Sequence, residues 1–259
     1  MMVEETTQNL KDALWPFFHV LVVAAPESGV VGQGGQLPWH YPLDLKFFRL
    51  VTEGSILWMG RSTLLSLPDL LPGRYHLVLS RSPEDIETSS WYAKVVAKHG
   101  LDQVRKRLRY FSSLEDLPKQ IFEWQQQEPH LRDELRYPVF CVGGAQVFGQ
   151  AWPKAHIILW TEVKKEYSGD RCLPPDFVAQ LKVLKTHQES SEWKVLDLWD
   201  TEELRFYLIQ SQASCVTLPW PLERLTQSLH KRWRWILEEG HKLPTKEALL
   251  KLEELSHVQ

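Results

Sequence analysis

The chain has 259 residues, 43% of them hydrophobic, enough for a substantial core in one large domain with extensions or in two small ones. Thirty basic against thirty-three acidic side chains leave a formal net charge of -3. That offers no general field for nucleic acid or an anionic membrane, and it makes small-molecule chemistry the default. Cys141, Cys172 and Cys215 are odd in number and too far apart for zinc spacing, so neither a metal site nor a disulfide framework is indicated and a reducing cytoplasm fits.

In chain order, residues 1–17 read as an acidic, polar extension. The apolar run from Leu14 to Ala25 is broken by Pro16 and His19, which suits neither a signal peptide nor a membrane span. HVLVVAA (His19 to Ala25) predicts a buried strand, and Gly32, Gly34 and Gly35 follow as a flexible loop suited either to a tight turn or to covering a site. PLDLKFFRLV then predicts a helix over Leu43 to Thr52, with Pro42 in its first turn. Asp44, Phe47, Phe48 and Val51 share one face of it. From these residues alone Asp44 either complements the helix dipole or is a carboxylate held at the rim of an apolar pocket.

Further buried strands are predicted at Ser55 to Gly60, Tyr75 to Ser80, Val139 to Gly144 and His156 to Val163. Helices are expected after Arg61, over Leu114 to Gln127, and from Ala145. The alternation predicts an α/β fold, a mostly parallel sheet flanked by helices. LKVLKTH (Leu181 to His187) and LRFYLIQS (Leu204 to Ser211) are expected to close it as an antiparallel pair. Residues 83–107 look like an insertion, with one helix ending at Lys98, His99 and Gly100. Residues 214–259 read as a helical extension to a core of 18–213. In the extension Leu222, Leu225, Leu229, Trp233 and Ile236 form one apolar face, and Thr245 opens a second helix. KRWRW within it could touch nucleic acid or a membrane, but the apolar stripe favours packing on the domain or a partner.

Two short motifs fall where strands end, the ligand-binding edge of open α/β sheets. In MGRST, Gly60 closes a strand and Arg61, Ser62 and Thr63 start a helix, an arrangement that favours phosphate. In VGGAQVF, Gly143 and Gly144 would let a phosphate approach the backbone. Either could be a simple turn; two in one sheet suggest a dinucleotide.

VVGQGGQLPWHYPLDLKFFRLVT, SILWMGRST, LPGRYHLVLS, VFCVGGAQVF and HIILWTEV, in this order, resemble dihydrofolate reductase of the bacterial type over about Phe18 to Ser211. The resemblance implies NADPH-dependent reduction of 7,8-dihydrofolate to tetrahydrofolate in one-carbon metabolism. It implies catalytic roles for Asp44, Thr161 and Trp39, and pterin contacts from Val23, Ala24, Phe48 and Leu71, with Arg74 on the glutamate tail. For the cofactor it implies Ala24, Val31, Gly60, Arg61, Ser62, Thr63, Leu79, Ser80, Arg81, Gly143, Gly144, Ala145, Gln146 and Val147. Gln146 stands where some members carry an arginine toward the 2′-phosphate, so the preference for NADPH over NADH stays open, and Phe148 replaces a common tyrosine. The expected partners are dihydrofolate and NADPH, with no metal, nucleic acid or membrane and a monomer favoured. The competing readings are a pyrimidine reductase of riboflavin synthesis and a reductase-like binding module without catalysis.

Overall fold

A computed structural model of the chain describes residues 18–132, 138–187, 193–212 and 222–257. The 1–17 extension, the boundary expected at 213/214 and Cys215 lie outside these, as do the side chains of Leu222 and Leu225.

Strands β1 (His19–Ala25), β3 (Ile56–Gly60), β4 (Tyr75–Leu79), β5 (Leu108–Phe111), β6 (Val139–Cys141), β7 (Ile157–Val163), β9 (Trp193–Asp200) and β10 (Leu204–Ser211) form one eight-stranded sheet. Its order is β5-β4-β3-β6-β1-β7-β10-β9. All pairs are parallel until β10, which runs antiparallel to both β7 and β9. A two-stranded ribbon joins β2 (Val30–Gly32) to β8 (Arg171–Cys172).

The apolar runs follow from helices covering both faces. Alternation along β1 sends Phe18 and Val20 to one core, and Leu21, Val23 and Ala25 to the other. The first core is covered by α1 (Pro42–Val51) and α2 (Arg61–Ser66), then by α3 (Pro83–Glu87), α4 (Ser90–His99) and α5 (Leu101–Arg107). The second is covered by α6 (Leu117–Gln127), α7 (Ala145–Ala151) and α8 (Pro175–His187).

One expectation is corrected. Leu181 to His187 is the end of α8, not a strand, and the partner of β10 is β9. Phe177, Leu181 and Leu184 are buried at i, i+4 and i+7, a helical period that the seven-residue window cut off. Residues 83–107 carry α3, α4 and α5 and lead into β5, an edge strand parallel to β4 that the sequence reading did not include. The predicted helix stop stands: Gly100 has φ 82° and caps α4 through its N–H to the Val96 carbonyl.

The extension forms α9 (Leu222–Glu238) and α10 (Thr245–His257). Leu229, Trp233, Ile236, Leu237, Ala248 and Leu252 are buried in the same core as Phe47 and Leu50 of α1. Lys46 of α1 donates to the Leu243 carbonyl at 2.9 Å and to Thr245 Oγ1 at 3.2 Å, so the extension is joined to that helix by polar contacts as well. Among the described residues no helix is long and apolar enough to cross a membrane. Trp233 is 1% exposed, and Trp233→Ala is expected to cost about 3–5 kcal/mol of stability, measured by urea denaturation.

Three buried histidines act as acceptors and are therefore held neutral. His19 Nε2 accepts from Trp58 Nε1 at 3.1 Å, His156 Nδ1 from the His19 backbone N–H at 3.2 Å, and His76 Nε2 from the Leu71 N–H at 3.1 Å. Burial lowers their pKa values from the ordinary 6.5 to about 3, 4 and 3 respectively. The unfolded chain then binds protons first, so this stability is present above about pH 6.5 and is lost as pH falls toward the folded values. Unfolding free energy should drop by several kcal/mol, roughly, between pH 7 and pH 5, and His76→Gln should reduce that drop in paired denaturant titrations.

Candidate active site

The carboxyl ends of β1, β3, β4 and β6 open into one cleft of about 1730 Å³. Its middle is built by α1. Pro42 stands in the first turn, where its missing N–H costs nothing, and Phe47, Leu50 and Val51 bury one stripe of the helix. Phe47 meets Phe206 of β10 edge-on, with ring centroids 5.1 Å apart. This turns Asp44 inward, where it accepts a hydrogen bond from Thr161 of β7.

Asp44 lines the cleft floor, reachable through the opening but otherwise enclosed by protein. Burial raises its pKa from the ordinary 3.8 to about 6, and the Thr161 hydroxyl, which favours the charged form, opposes that rise. Thr161 does not line the cleft; it stands behind Asp44, paired with Ala24 across the sheet. Phe48, Leu71 and Trp39 contribute apolar wall. The indole N–H of Trp39 is buried with no hydrogen-bond partner, a donor held ready at the cleft edge.

The other half of the cleft is made by two turns packed against each other. The Gly60 N–H donates to the Gly143 carbonyl at 2.8 Å, and a cis peptide joins Gly143 to Gly144. Gly143 has φ 105°, and a Cβ there would lie 2.8 Å from the Phe148 ring. A Cβ on Gly144 would come within 3.1 Å of Thr63 Oγ1. A side chain is excluded at Gly143 and crowded at Gly144, and backbone faces the cleft from the starts of α2 and α7. Gly143 itself is the structural half of this turn and does not line the cleft.

Val23, Ala24, Val31, Ser62, Leu79, Ser80, Arg81, Ala145, Gln146 and Val147 line the cleft as well, so the structure brings nearly the whole expected set together. The two expected cations are each already paired. Arg61 Nη1 meets Asp85 Oδ2 of α3 at 2.6 Å, and Arg74 Nη1 meets Glu53 Oε2 at 2.6 Å. Sequence reasoning missed Asp85, Ser112, Ser113 and Arg171 on the cleft wall. Ser112 and Ser113 directly follow β5, a strand masked by the basic residues around it; LRYF followed by SS was the available signal.

The loop before Trp39 is tied down at its base. Gly34 and Gly35 have φ 57° and 81°, the Gly34 N–H donates to Asp170 at 3.2 Å, and the Asp170 N–H donates to the Gly32 carbonyl at 3.0 Å. Trp39 packs on Tyr167 at 5.4 Å, and the Tyr41 and Tyr167 hydroxyls are 3.0 Å apart.

The sequence profile of dihydrofolate reductase matches residues 19–197. The chain belongs to the dihydrofolate reductase family. The match runs from β1 into β9 and stops before β10 and the C-terminal helices. Dihydrofolate reductase of Haemophilus influenzae is 29% identical over 189 residues, covering 73% of this chain and 96% of that protein. Dihydrofolate reductase type 9 of Escherichia coli is 50% identical over 62 residues, 24% of this chain and 35% of that protein. A solved dihydrofolate reductase of Enterococcus faecalis, complexed with NADP(H) and RAB-propyl, shares the fold at a TM-score of 0.50 and 21% identity. It covers 77% of this chain and 99% of that one. Both relatives and the solved neighbour are bacterial, in keeping with a bacterial-type dihydrofolate reductase.

Titration of the Asp44 carboxyl by carbon-13 NMR in the unliganded protein should show a midpoint near 6. Thr161→Val should move it higher, because the hydrogen bond that favours the charged form is lost.

Proposed function

We propose that the chain reduces 7,8-dihydrofolate to 5,6,7,8-tetrahydrofolate with NADPH in the cytoplasm, supporting one-carbon metabolism and thymidylate synthesis. The observation that carries this is a half-buried carboxylate, Asp44 on Thr161, set in the same cleft as two glycine turns at strand ends. Family membership supports it, and so does the order of the motifs.

In this reading the charged Asp44 accepts hydrogen bonds from the amino-pyrimidine edge of the pterin, and Phe48 and Leu71 hold the ring between apolar walls. Trp39 offers its unpartnered indole N–H to the substrate or to a bridging water. Asp44 is the group that assists protonation at pterin N5, because a pKa near 6 leaves a usable protonated fraction at neutral pH. Apolar walls keep water from the reacting face.

The turn at Gly143 and Gly144, continued by Ala145, Gln146 and Val147, would hold the cofactor's pyrophosphate together with Gly60, Ser62 and Thr63. Ala24 and Val31 would flank the nicotinamide, and Leu79, Ser80 and Arg81 the adenosine side. Gln146 brings no positive charge to the 2′-phosphate, and Arg61 is shared with Asp85, so Arg81 is the cation there without a charged partner of its own among the ion pairs of the described residues. When bound, NADPH supplies the hydride; orientation and the proton are left to the protein.

Purified protein should oxidise NADPH on addition of dihydrofolate, and absence of turnover in protein shown to bind NADPH would sink the reading. Asp44→Asn should keep cofactor affinity while turnover falls about a hundredfold or more. The single-turnover rate of the native protein should fall as pH rises through about 6, where Asp44 loses its proton, and the Asn variant should lose that inflection.

A further inference from the structure

The sides of α1 have different neighbours. Asp44 and Phe48 face the cleft, Phe47 packs on Phe206 of the sheet, and Leu45 and Arg49 are exposed at the rim. The remaining side carries Leu43, Lys46 and Leu50, none of which lines the cleft. At about 100° per residue, Lys46 stands about 200° from Asp44, nearly straight across the helix. The Asp44 side looks into the cleft, so the backing on the opposite side decides how deep the helix sits.

That backing is the C-terminal extension. α1 contacts α9, α10 and the turn between them, Gly240–Lys242. Lys46 Nζ donates to the Leu243 carbonyl at 2.9 Å and to Thr245 Oγ1 at 3.2 Å. Thr245 opens α10, and an ammonium at a helix start gains nothing from the helix dipole, so the two hydrogen bonds are what hold it there. Both acceptors are fixed in turn. A Cβ at Gly240 would fall 2.8 Å from the Trp235 ring, and the Leu243 N–H donates to the Gly240 carbonyl at 3.3 Å, so the turn that leads to them is seated on α9. Behind it Trp233, Ile236, Leu237, Ala248 and Leu252 are buried in one core with Leu50. The family match ends at residue 197, before any of these.

Resting on the reductase reading above, we propose that the extension is a positioning element for the reaction, and that Lys46 is the positioning residue through which it holds Asp44 in the cleft. Without the two hydrogen bonds α1 loses its backing and rolls, carrying Asp44 toward water. Both influences on the carboxyl then fade, and because burial outweighs the Thr161 hydrogen bond, its pKa falls from about 6 toward the ordinary 3.8. Each unit of that fall removes about nine-tenths of the protonated fraction at neutral pH, and with it the proton that assists reduction at N5. The glycine turns form the other half of the cleft, so cofactor affinity should hold.

The test uses the full-length protein. Lys46→Met keeps the apolar stem and removes the donors, whereas Lys46→Arg keeps donors. In Lys46→Met the carbon-13 midpoint of the Asp44 carboxyl should fall by about one unit and the single-turnover rate at pH 7 by about tenfold, with the NADPH dissociation constant within about twofold of native. Lys46→Arg should restore midpoint and rate. A folded Lys46→Met with native midpoint and rate overturns the role of Lys46, because a purely stabilising contact would change the unfolding free energy alone. Native protein decides even if the variant does not fold. In hydrogen exchange the amides of α1 and α9 should open together as urea is raised, and an α1 still protected after α9 has exchanged overturns the role of the extension. Failure of native protein to turn over dihydrofolate overturns the reductase reading instead, and the Asp44 midpoint, measured without substrate, still decides on Lys46.

Discussion

The edge-on contact of Phe47 with Phe206 sets the roll of α1 over the sheet, and the position of Asp44 follows from it. A helix turns by about 100° per residue, so a small rotation would carry Asp44 away from Thr161 and into water. Leu50 and Val51 hold the same roll from below, and Lys46 ties the outer side of the helix to Leu243 and Thr245 of the C-terminal extension. A carboxylate can stay buried only if it keeps a hydrogen-bond partner. The extension therefore bears on the site, although none of its described residues lines the cleft.

Backbone geometry governs the opposite half of the cleft. Gly60, Gly143 and Gly144 bring two strand ends so close that a side chain at Gly143 would collide with Phe148 and one at Gly144 would crowd Thr63. The crossover of residues 83–107 shapes the rim. Trp91 donates to the Leu67 carbonyl at 2.7 Å, and Lys98 and His99 both hold Asp69, at 2.5 and 2.8 Å. These contacts fix the segment that leads into Leu71 and Arg74, so what reads in sequence as an insertion braces one wall.

Charge is balanced internally at both ends. Arg61 carries Asp85, half exposed, and Arg74 carries Glu53, nearly buried. The two pairs differ in consequence. A guanidinium removed from water needs a partner at all times, whereas one at the surface can exchange partners with little penalty. The protein thus meets its own electrostatic requirement at Arg74 before any ligand arrives.

Strand and helix order, the cleft-lining motifs and the candidate carboxylate were legible in sequence, because each depends on residues within a short window. HVLVVAA reads as a strand buried on both faces, and Asp44 shares a face with Phe47 once PLDLKFFRLV is helical. Leu181 to His187 misled for the same reason. Its period belongs to a helix that begins at Pro175, and a strand of similar composition, Trp193 to Asp200, lay close by. The state of the two arginines was decided by tertiary structure alone. Asp85 stands 24 positions from Arg61 and Glu53 stands 21 from Arg74, and no local pattern announces either contact. Periodicity and backbone chemistry act between near neighbours and can be read directly. Ion pairing, burial and the resulting pKa of Asp44 depend on which distant segments the sheet brings together, and those exist only in the folded chain.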